Sequence, residues 1–364
     1  MKYIRKINIK KDILPFMPGI LATLLTTLVT GLWTFWSLGE MFFEGWYGRL
    51  WPCLAYLIPG TVCLLMSLAA LKWPKFGGYL LITIGALFTI WWWGEDIIGG
   101  SFTLKRALAQ FPVSAMIMLV GGLFLWYASR RKKRRLEGWQ VPSNWWLRNL
   151  RFVIFGGVEL IILISVLAVN LPIVLTRMDD GNREARLIEG NDVSLVWAPL
   201  GPGWNWKQDF GGYPSWDSLA RYGQDPIGME GKSSIEMGPA SLNDMQTTGL
   251  CRFLNENGDE LLNEAQNIWR MPTTDEIVRS MARHGENAGC LWDGDFHKRV
   301  ICDILPDKET PLWAPDMEPV YYWTADEGRN EREAVYVSYN GWVKEQPKSW
   351  GNPRHGYRCV KEVD

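Results

Sequence analysis

Histidine is scarce in this chain, with three among 364 residues, and cysteine is limited to six. Three histidines without positional context do not define a nucleophile–base–acid triad, which is recognised by geometry rather than by order along a chain. Acidic residues are nearly missing from the first half. Residues 1–176 hold 18 Lys and Arg but only 7 Asp and Glu, a net +11. Residues 177–364 hold 20 and 32, a net −12, so the whole-chain charge of −1 and mean hydropathy of −0.08 average two unlike halves. The acidic half lacks the clustered Lys and Arg that nucleic acid or sulfated sugars require. No internal repeat and no low-complexity tract is present.

What the first half does have is length of apolar run. Crossing about 30 Å of hydrocarbon takes about 20 apolar residues. Five stretches qualify: 19–38, 50–71, 77–93, 108–127 and 152–176. Pro59-Gly60 and Pro112 read as single kinks within them. Trp33, Trp36, Trp51, Trp126 and Tyr127 lie near span ends, where aromatic rings favour the interface. Basic residues crowd the N-terminal tail (Lys2, Arg5, Lys6, Lys10, Lys11), the loop with Lys72 and Lys75, and the loop 129–151 with Arg130–Arg135. The positive-inside rule then places the N-terminus in the cytoplasm. Five crossings put residues 177–364 outside, as a periplasmic or extracellular domain on a plasma (inner) membrane protein of bacterial type. The first span reads as an anchor, because its apolar run is longer than a signal peptide's and no small-residue cleavage site follows. The RRKKRR run reads as a topology determinant that also touches anionic lipid. Glu159 is the single acid placed within a span, and a snorkelled or Arg151-paired role near the inner face is expected of it.

The second half reads as a loop-rich α+β domain over 191–364, reached through a charged linker at 177–190. Val193–Ala198 has strand character. Leu242–Asn255 has helical spacing with Ser241 as N-cap. Thr273 or Thr274 caps a helix predicted from Asp275 to about Arg283, with acids in its first turn. Tyr321–Ala325, Ala334–Asn340 and Tyr357–Lys361 read as strands, and Asn340-Gly341 is a hairpin signal. Four cysteines lie here, Cys251, Cys290, Cys302 and Cys359. They allow three pairings, and an oxidising compartment makes bridging the default.

Three segments carry a resemblance: Ser241–Leu254, ending in GLCRFL; Trp269–Glu276, reading WRMPTTDE; and Tyr322-Trp323-Thr324 through Gly356–Lys361, reading GYRCVK. Together they resemble the sulfatase-modifying-factor (formylglycine-generating) superfamily, and more closely the Lcl C-terminal-type domains, whose fold is similar to C-type lectins. The likeness spans about 180 residues, and implies a C-type-lectin-like, formylglycine-generating-enzyme-like α+β fold behind the five-span α-helical membrane region. It implies a Cys251–Cys359 bridge, which leaves Cys290 and Cys302 for a loop bridge. The family's copper-holding cysteine pair is not matched, since only Cys359 lies in that region, and Asn340-Gly341-Trp342 stands where its arginine-glycine-glycine-serine segment would be. The sugar-binding triplets of calcium-dependent lectins are not matched either.

Candidate sites follow from residue type. His284, Cys290, His297 and Cys302 fall within 19 residues and form an alternative zinc or copper set. Asp293 and Asp295, with the run Glu256–Glu260, form an alternative calcium set. Trp197, Trp269 and Trp323 are expected in the core, whereas Trp204, Trp206, Trp292 and Trp350 sit among Gly, Pro and Asp and are expected at the surface as ligand contacts. The expectation is a noncatalytic module, without catalytic residues or a required cofactor, anchored in the lipid bilayer and binding an envelope protein or glycan. A diverged metal- or thiol-dependent oxidase and a transport or envelope-assembly component are the alternatives.

Overall fold

The computed structural model describes residues 17–98, 102–138, 145–201, 215–224 and 238–363. The chain divides into two compact units. The first takes the described residues up to Gly45 and from Leu50 to Leu171; the second takes Trp46–Arg49 and everything from Pro172 onward.

The first unit is helical, as backbone in hydrocarbon must be to satisfy its own polar groups. Its helices are α1 (Met17–Glu40, continued by a π-helical turn Met41–Gly45), α2 (Leu50–Lys72), α3 (Pro74–Ile98), α4 (Leu104–Gln110), α5 (Ala115–Leu136) and α6 (Trp145–Leu175). α1, α2, α3 and α6 are long and apolar enough to cross a membrane; the pair α4–α5, bent by 47°, adds one more if it is a single span. The expected span 108–127 is therefore broken. Pro112 removes an N–H at the bend, and the Ser114 hydroxyl donates to the Gln110 carbonyl at 2.8 Å. The basic loop 129–151 is also shorter than expected. α5 continues through Arg130–Arg135 to Leu136, because Lys and Arg are good helix formers and their charge suits a helix C-terminus.

α1, α2, α3 and α5 enclose a core of Ala22, Val29, Leu71, Leu81, Val120 and Phe124, among others. Small residues set the helix spacing. A Cβ at Gly77 would lie 2.1 Å from the Ala70 Cα, and Gly78 and Gly121 would each collide with the other's carbonyl oxygen.

The second unit is α+β. β1 (Arg186–Gly190), β2 (Val193–Trp197) and β10 (Val360–Glu362) form a three-stranded antiparallel sheet, with both Arg186 and Val360 opposite Trp197. A five-stranded sheet runs β5 (Lys298–Arg299), β8 (Trp342–Pro347), β7 (Glu333–Ser338), β6 (Tyr321–Glu327), β9 (His355–Gly356), with β6 and β9 parallel. β3 (Ala282–Arg283) and β4 (Glu286–Asn287) make a small hairpin. Among the described residues it also holds three short helices, α7 (Trp216–Ala220), α8 (Leu242–Thr248) and α9 (Thr274–Arg279). The core holds Trp216, Trp269, Trp323, Tyr357 and the bonded pair Cys251 and Cys359. Trp197, Trp269 and Trp323 are all buried, as their sequence context implies.

Four expectations need correction. Residues 177–190 are not a free linker, because β1 occupies 186–190 and buries Ile188, while the charges before it are paired within the unit. The helix capped by Ser241 stops at Thr248. Gly249 is extended, its Cβ position lies 2.2 Å from the Met245 carbonyl, and a 3-10 turn Leu250–Phe253 follows. The helix capped by Thr273 ends at Arg279, where the Ser280 N–H closes it, and Ala282-Arg283 turn into β3. The closing segment is strand only at 355–356 and 360–362. Asn340-Gly341 does make a hairpin, with Gly341 at φ +82°, but it joins β7 to a strand, β8, that the sequence reading did not propose.

Candidate functional site

WRMPTTDE builds a joint. Pro272 precedes a capping box in which the Thr273 hydroxyl accepts from the Glu276 N–H and the Glu276 carboxylate accepts from the Thr273 N–H. Arg270 grips that carboxylate through two bonds of 2.8 and 2.7 Å, while its backbone exchanges hydrogen bonds with Val360. The motif therefore locks α9 to β10. Nearby, Arg358 is buried without a carboxylate partner. It donates to the carbonyls of Ala198, Pro311 and Leu312, which makes it a second tie between segments.

The loop 290–302 is closed by the Cys290–Cys302 disulfide. This corrects the alternative metal set: the two sulfurs are bonded to each other, and His284 and His297 sit on separate turns at φ 54° and 62°. Asp293 and Asp295 both hold the Lys298 ammonium, and the Lys298 hydrogen bond keeps the Asp293 carboxyl below its usual range. An internal cation thus sits where the calcium alternative would place an external one. Among the described residues no group of three or more His, Cys, Asp and Glu is arranged to hold a metal. The Trp292 indole donates to the Asp295 carbonyl at 3.0 Å and its ring leans on Phe296. Besides these charged groups, the loop and the residues just after it expose four aliphatics. Leu291 and Ile301 face each other across a β-bridge at 48% and 69% exposure, with Ile304 at 45% and Leu305 at 48%.

Trp350 is exposed and covers an aromatic cluster. The His355 ring is surrounded by Trp323 at 4.8 Å, Tyr321 at 4.9 Å, Tyr336 at 5.0 Å and Trp350 at 5.6 Å. It is 2% exposed, and neither ring nitrogen has a hydrogen-bond partner. The parallel pairing of β9 with β6 puts it there. Burial pushes its pKa down to about 3, so the ring is neutral. The unfolded chain takes up this proton near pH 6.5 and the folded one does not. Stability is therefore complete above about pH 6.5 and is lost as pH falls toward 3. We expect the second unit to lose about 2 kcal/mol between pH 7 and pH 5 from this residue alone. Thermal unfolding of wild type and His355→Phe at both pH values checks it; an equal pH slope in the variant refutes it.

Trp292 and Trp350 do not form one site, because the strands flanking them, β5 and β9, are opposite edges of the five-stranded sheet. Trp204 and Trp206 lie outside the described residues.

A third cluster surrounds the entry to the second unit and has no counterpart in the sequence reading. Asp307 bonds Arg177 at 2.9 Å and Arg283 at 3.0 Å, and Glu309 bonds Arg283 at 3.0 Å. Arg283 also donates to the Thr176 hydroxyl. The Tyr47 hydroxyl donates to Glu318 at 3.1 Å, and the Tyr47 ring lies under Arg354 and Lys308. Lys308 is 1% exposed and donates to the Met317 carbonyl. Burial, then the neighbouring Arg177 and Arg354, pushes its amine well below the usual lysine range.

In the first unit Glu159 is buried and accepts a hydrogen bond from the Thr34 hydroxyl of α1 at 2.7 Å. Of the two expected roles, snorkelled or paired with Arg151, the pairing is not made; that guanidinium lies over the Phe152 ring instead. Asp96, buried near the end of α3, bonds Arg106 and Gln110.

The family described as "Domain of unknown function (DUF7670)" matches residues 5–137. No curated protein and no solved structure matches the chain.

Proposed function

We propose that this protein is a membrane-anchored recognition module, noncatalytic, whose second unit stands outside the plasma membrane and binds an envelope protein or glycan. The observation that carries this reading is the set of exposed aliphatics Leu291 and Ile301, within the disulfide-closed loop, and Ile304 and Leu305 just after it. Water-facing branched aliphatics clustered on a rigid loop are the usual mark of a protein-binding surface. The oxidase alternative loses its His/Cys cluster to the Cys290–Cys302 bond.

Topology supports the placement. Trp46–Arg49 and residues 172–364 belong to one unit, so the chain between them crosses the membrane an even number of times. If α2, α3 and α6 each cross, an even number follows with α4–α5 as one bent span, and the reading takes five crossings in all. Lys72, Lys75 and Arg130–Arg135 then share the opposite face, which the positive-inside rule makes cytoplasmic. The Cys251–Cys359 and Cys290–Cys302 bridges are the pairings that the likeness to sulfatase-modifying-factor and C-type-lectin-like domains implies.

The test uses the full chain in lipid nanodiscs against solubilised envelope proteins and against envelope glycans. Saturable binding should be present in wild type and fall at least about 30-fold in Ile301→Asp/Leu305→Asp, as for residues at the centre of an interface. Binding of glycans that is lost in Trp350→Ala would select the glycan branch. Absence of saturable binding to either class would refute the module reading.

A further inference from the structure

The helical unit contains a cavity of about 230 Å³ between α1, α2, α3 and α5. Its lining includes Thr26, Trp33, Cys63, Ser67, Ile84 and Phe88. Exposed Pro59 and Val62 of α2 also line it and give it a lateral mouth. Its size exceeds the roughly 150 Å³ apolar cavity that binds benzene in an engineered protein.

Several hydroxyls of this bundle have partners within it. The Thr23 and Thr27 hydroxyls bond the carbonyls four residues back, Thr89 bonds Gly85, and Thr30 bonds Ser67 at 2.7 Å. Thr26 differs, and among the described residues it is the unpartnered buried polar group that lines the cavity. It is 2% exposed, lines the cavity, and its hydroxyl has no partner. An orphan hydroxyl in apolar surroundings is costly unless something completes its hydrogen bond. Water is a poor candidate, since a held water needs two to four polar partners and the lining offers few.

Depth narrows the ligand. Thr26 stands nine residues after Met17, about 14 Å along α1. That is well inside the hydrocarbon layer, beyond reach of the charged headgroups and ester oxygens of ordinary phospholipids. The missing partner must be an oxygen that is itself soluble in the bilayer interior. The Trp33 and Phe88 rings, in edge contact at 6.0 Å, both line the cavity and give it an aromatic wall against which a planar ring packs well.

We propose that this cavity binds an uncharged, bilayer-soluble ring compound bearing a carbonyl oxygen, of the quinone class, with the Thr26 hydroxyl donating to that oxygen and the ring against Trp33 and Phe88. The cavity is built from side chains of the first unit alone, so the proposal stands or falls independently of the recognition surface.

The test is equilibrium binding of radiolabelled decylubiquinone to the full chain in phosphatidylcholine nanodiscs, with empty discs as the partition control. Saturable binding above that control is expected. Thr26→Val, which keeps the shape and removes the hydroxyl, should weaken it about fivefold to tenfold. Ile84→Trp, which fills the cavity, should remove it. Leu87→Trp adds the same bulk on a lipid-facing position, 64% exposed, and should bind as wild type, separating cavity filling from misfolding. Three results would overturn the proposal: no binding beyond partition, equal binding by Thr26→Val, or equal competition by hexadecane.

Discussion

Asp307→Ala will destabilise the second unit by about 3–5 kcal/mol, the cost of leaving a buried charge without its partner. Asp307 is 5% exposed and its two oxygens serve two guanidiniums, Arg177 at 2.9 and 3.0 Å and Arg283 at 3.0 Å. Arg177 is itself buried, and burial alone would push its pKa down; the carboxylate of Asp307 holds it above the ordinary arginine value. Two arginines, Arg177 and Arg283, face two acids, Asp307 and Glu309, and burial lowers the pKa of the neighbouring Lys308 amine. Removing one acid leaves a full positive charge beside Lys308. At roughly 2–4 °C per kcal/mol for a unit of this size, the unfolding midpoint should fall by roughly 10 °C. Asp179→Ala is the control. Its pair with Arg183 is about one-third exposed on both sides and should be worth under about 1 kcal/mol. Thermal melts of both variants in nanodiscs decide it, and a shift for Asp307→Ala no larger than for Asp179→Ala would show that the pairs are hydrated.

Much of the architecture was legible because it rests on local signals. Apolar runs gave the four helices long and apolar enough to cross, since hydrocarbon leaves the backbone no alternative, but not the break in the fifth run at Pro112. Ser241 and Thr273 gave true helix starts, because a cap is a contact over three residues. Asn340-Gly341 gave a hairpin, because only a left-handed residue closes that turn. The failures share a different cause. β1 carries Arg186 and Glu189 and buries only Ile188 well, so it lacks a strand's alternation. β8 presents Lys344, Glu345 and Gln346 to partners on β7, and its pairing rather than its composition makes it a strand. The helix after Ser241 ends early because the 3-10 turn that follows must carry Cys251 inward.

Sites were less legible than elements. Asp293 and Asp295 looked like free ligand oxygens, and only the folded loop shows Lys298 between them. Trp292 and Trp350 share a residue type but sit beside opposite edges of one sheet. Three of the rings around His355, those of Tyr336, Trp323 and Tyr321, lie 19 to 34 residues away, Lys308 sits against the still more distant Tyr47, and nothing adjacent in sequence marks either as buried. The orphan state of Thr26 is a property of the packed bundle, in a helix where neighbouring threonines bond to their own backbone.

The two disulfides should separate stability from recognition. Cys251 and Cys359 are 108 residues apart and both lie in the core, tying the 3-10 turn to the segment whose carbonyl receives the Ala198 N–H. Closing so long a loop restrains the unfolded chain by about 4–5 kcal/mol in the chain-entropy picture. Cys290 and Cys302 are 12 apart, and the same reasoning makes their bridge worth about 2 kcal/mol less. Cys251→Ala/Cys359→Ala should therefore lower the unfolding midpoint by roughly 10–15 °C. Cys290→Ala/Cys302→Ala should lower it by clearly less, since Ala288, bonded to Met281 and Ile304, keeps the base of that loop in place. The binding surface responds in the opposite order. Leu291 and Ile301 flank the short bridge, so its removal loosens the surface itself, while removal of the long bridge leaves the loop's local geometry intact in the fraction that remains folded. Measured below both midpoints, partner affinity should drop in the short-bridge variant and stay near wild type in the long-bridge variant. Equal losses of affinity would mean that the loop is not the surface that binds. Equal shifts in midpoint would mean that the long bridge does not hold the unit together.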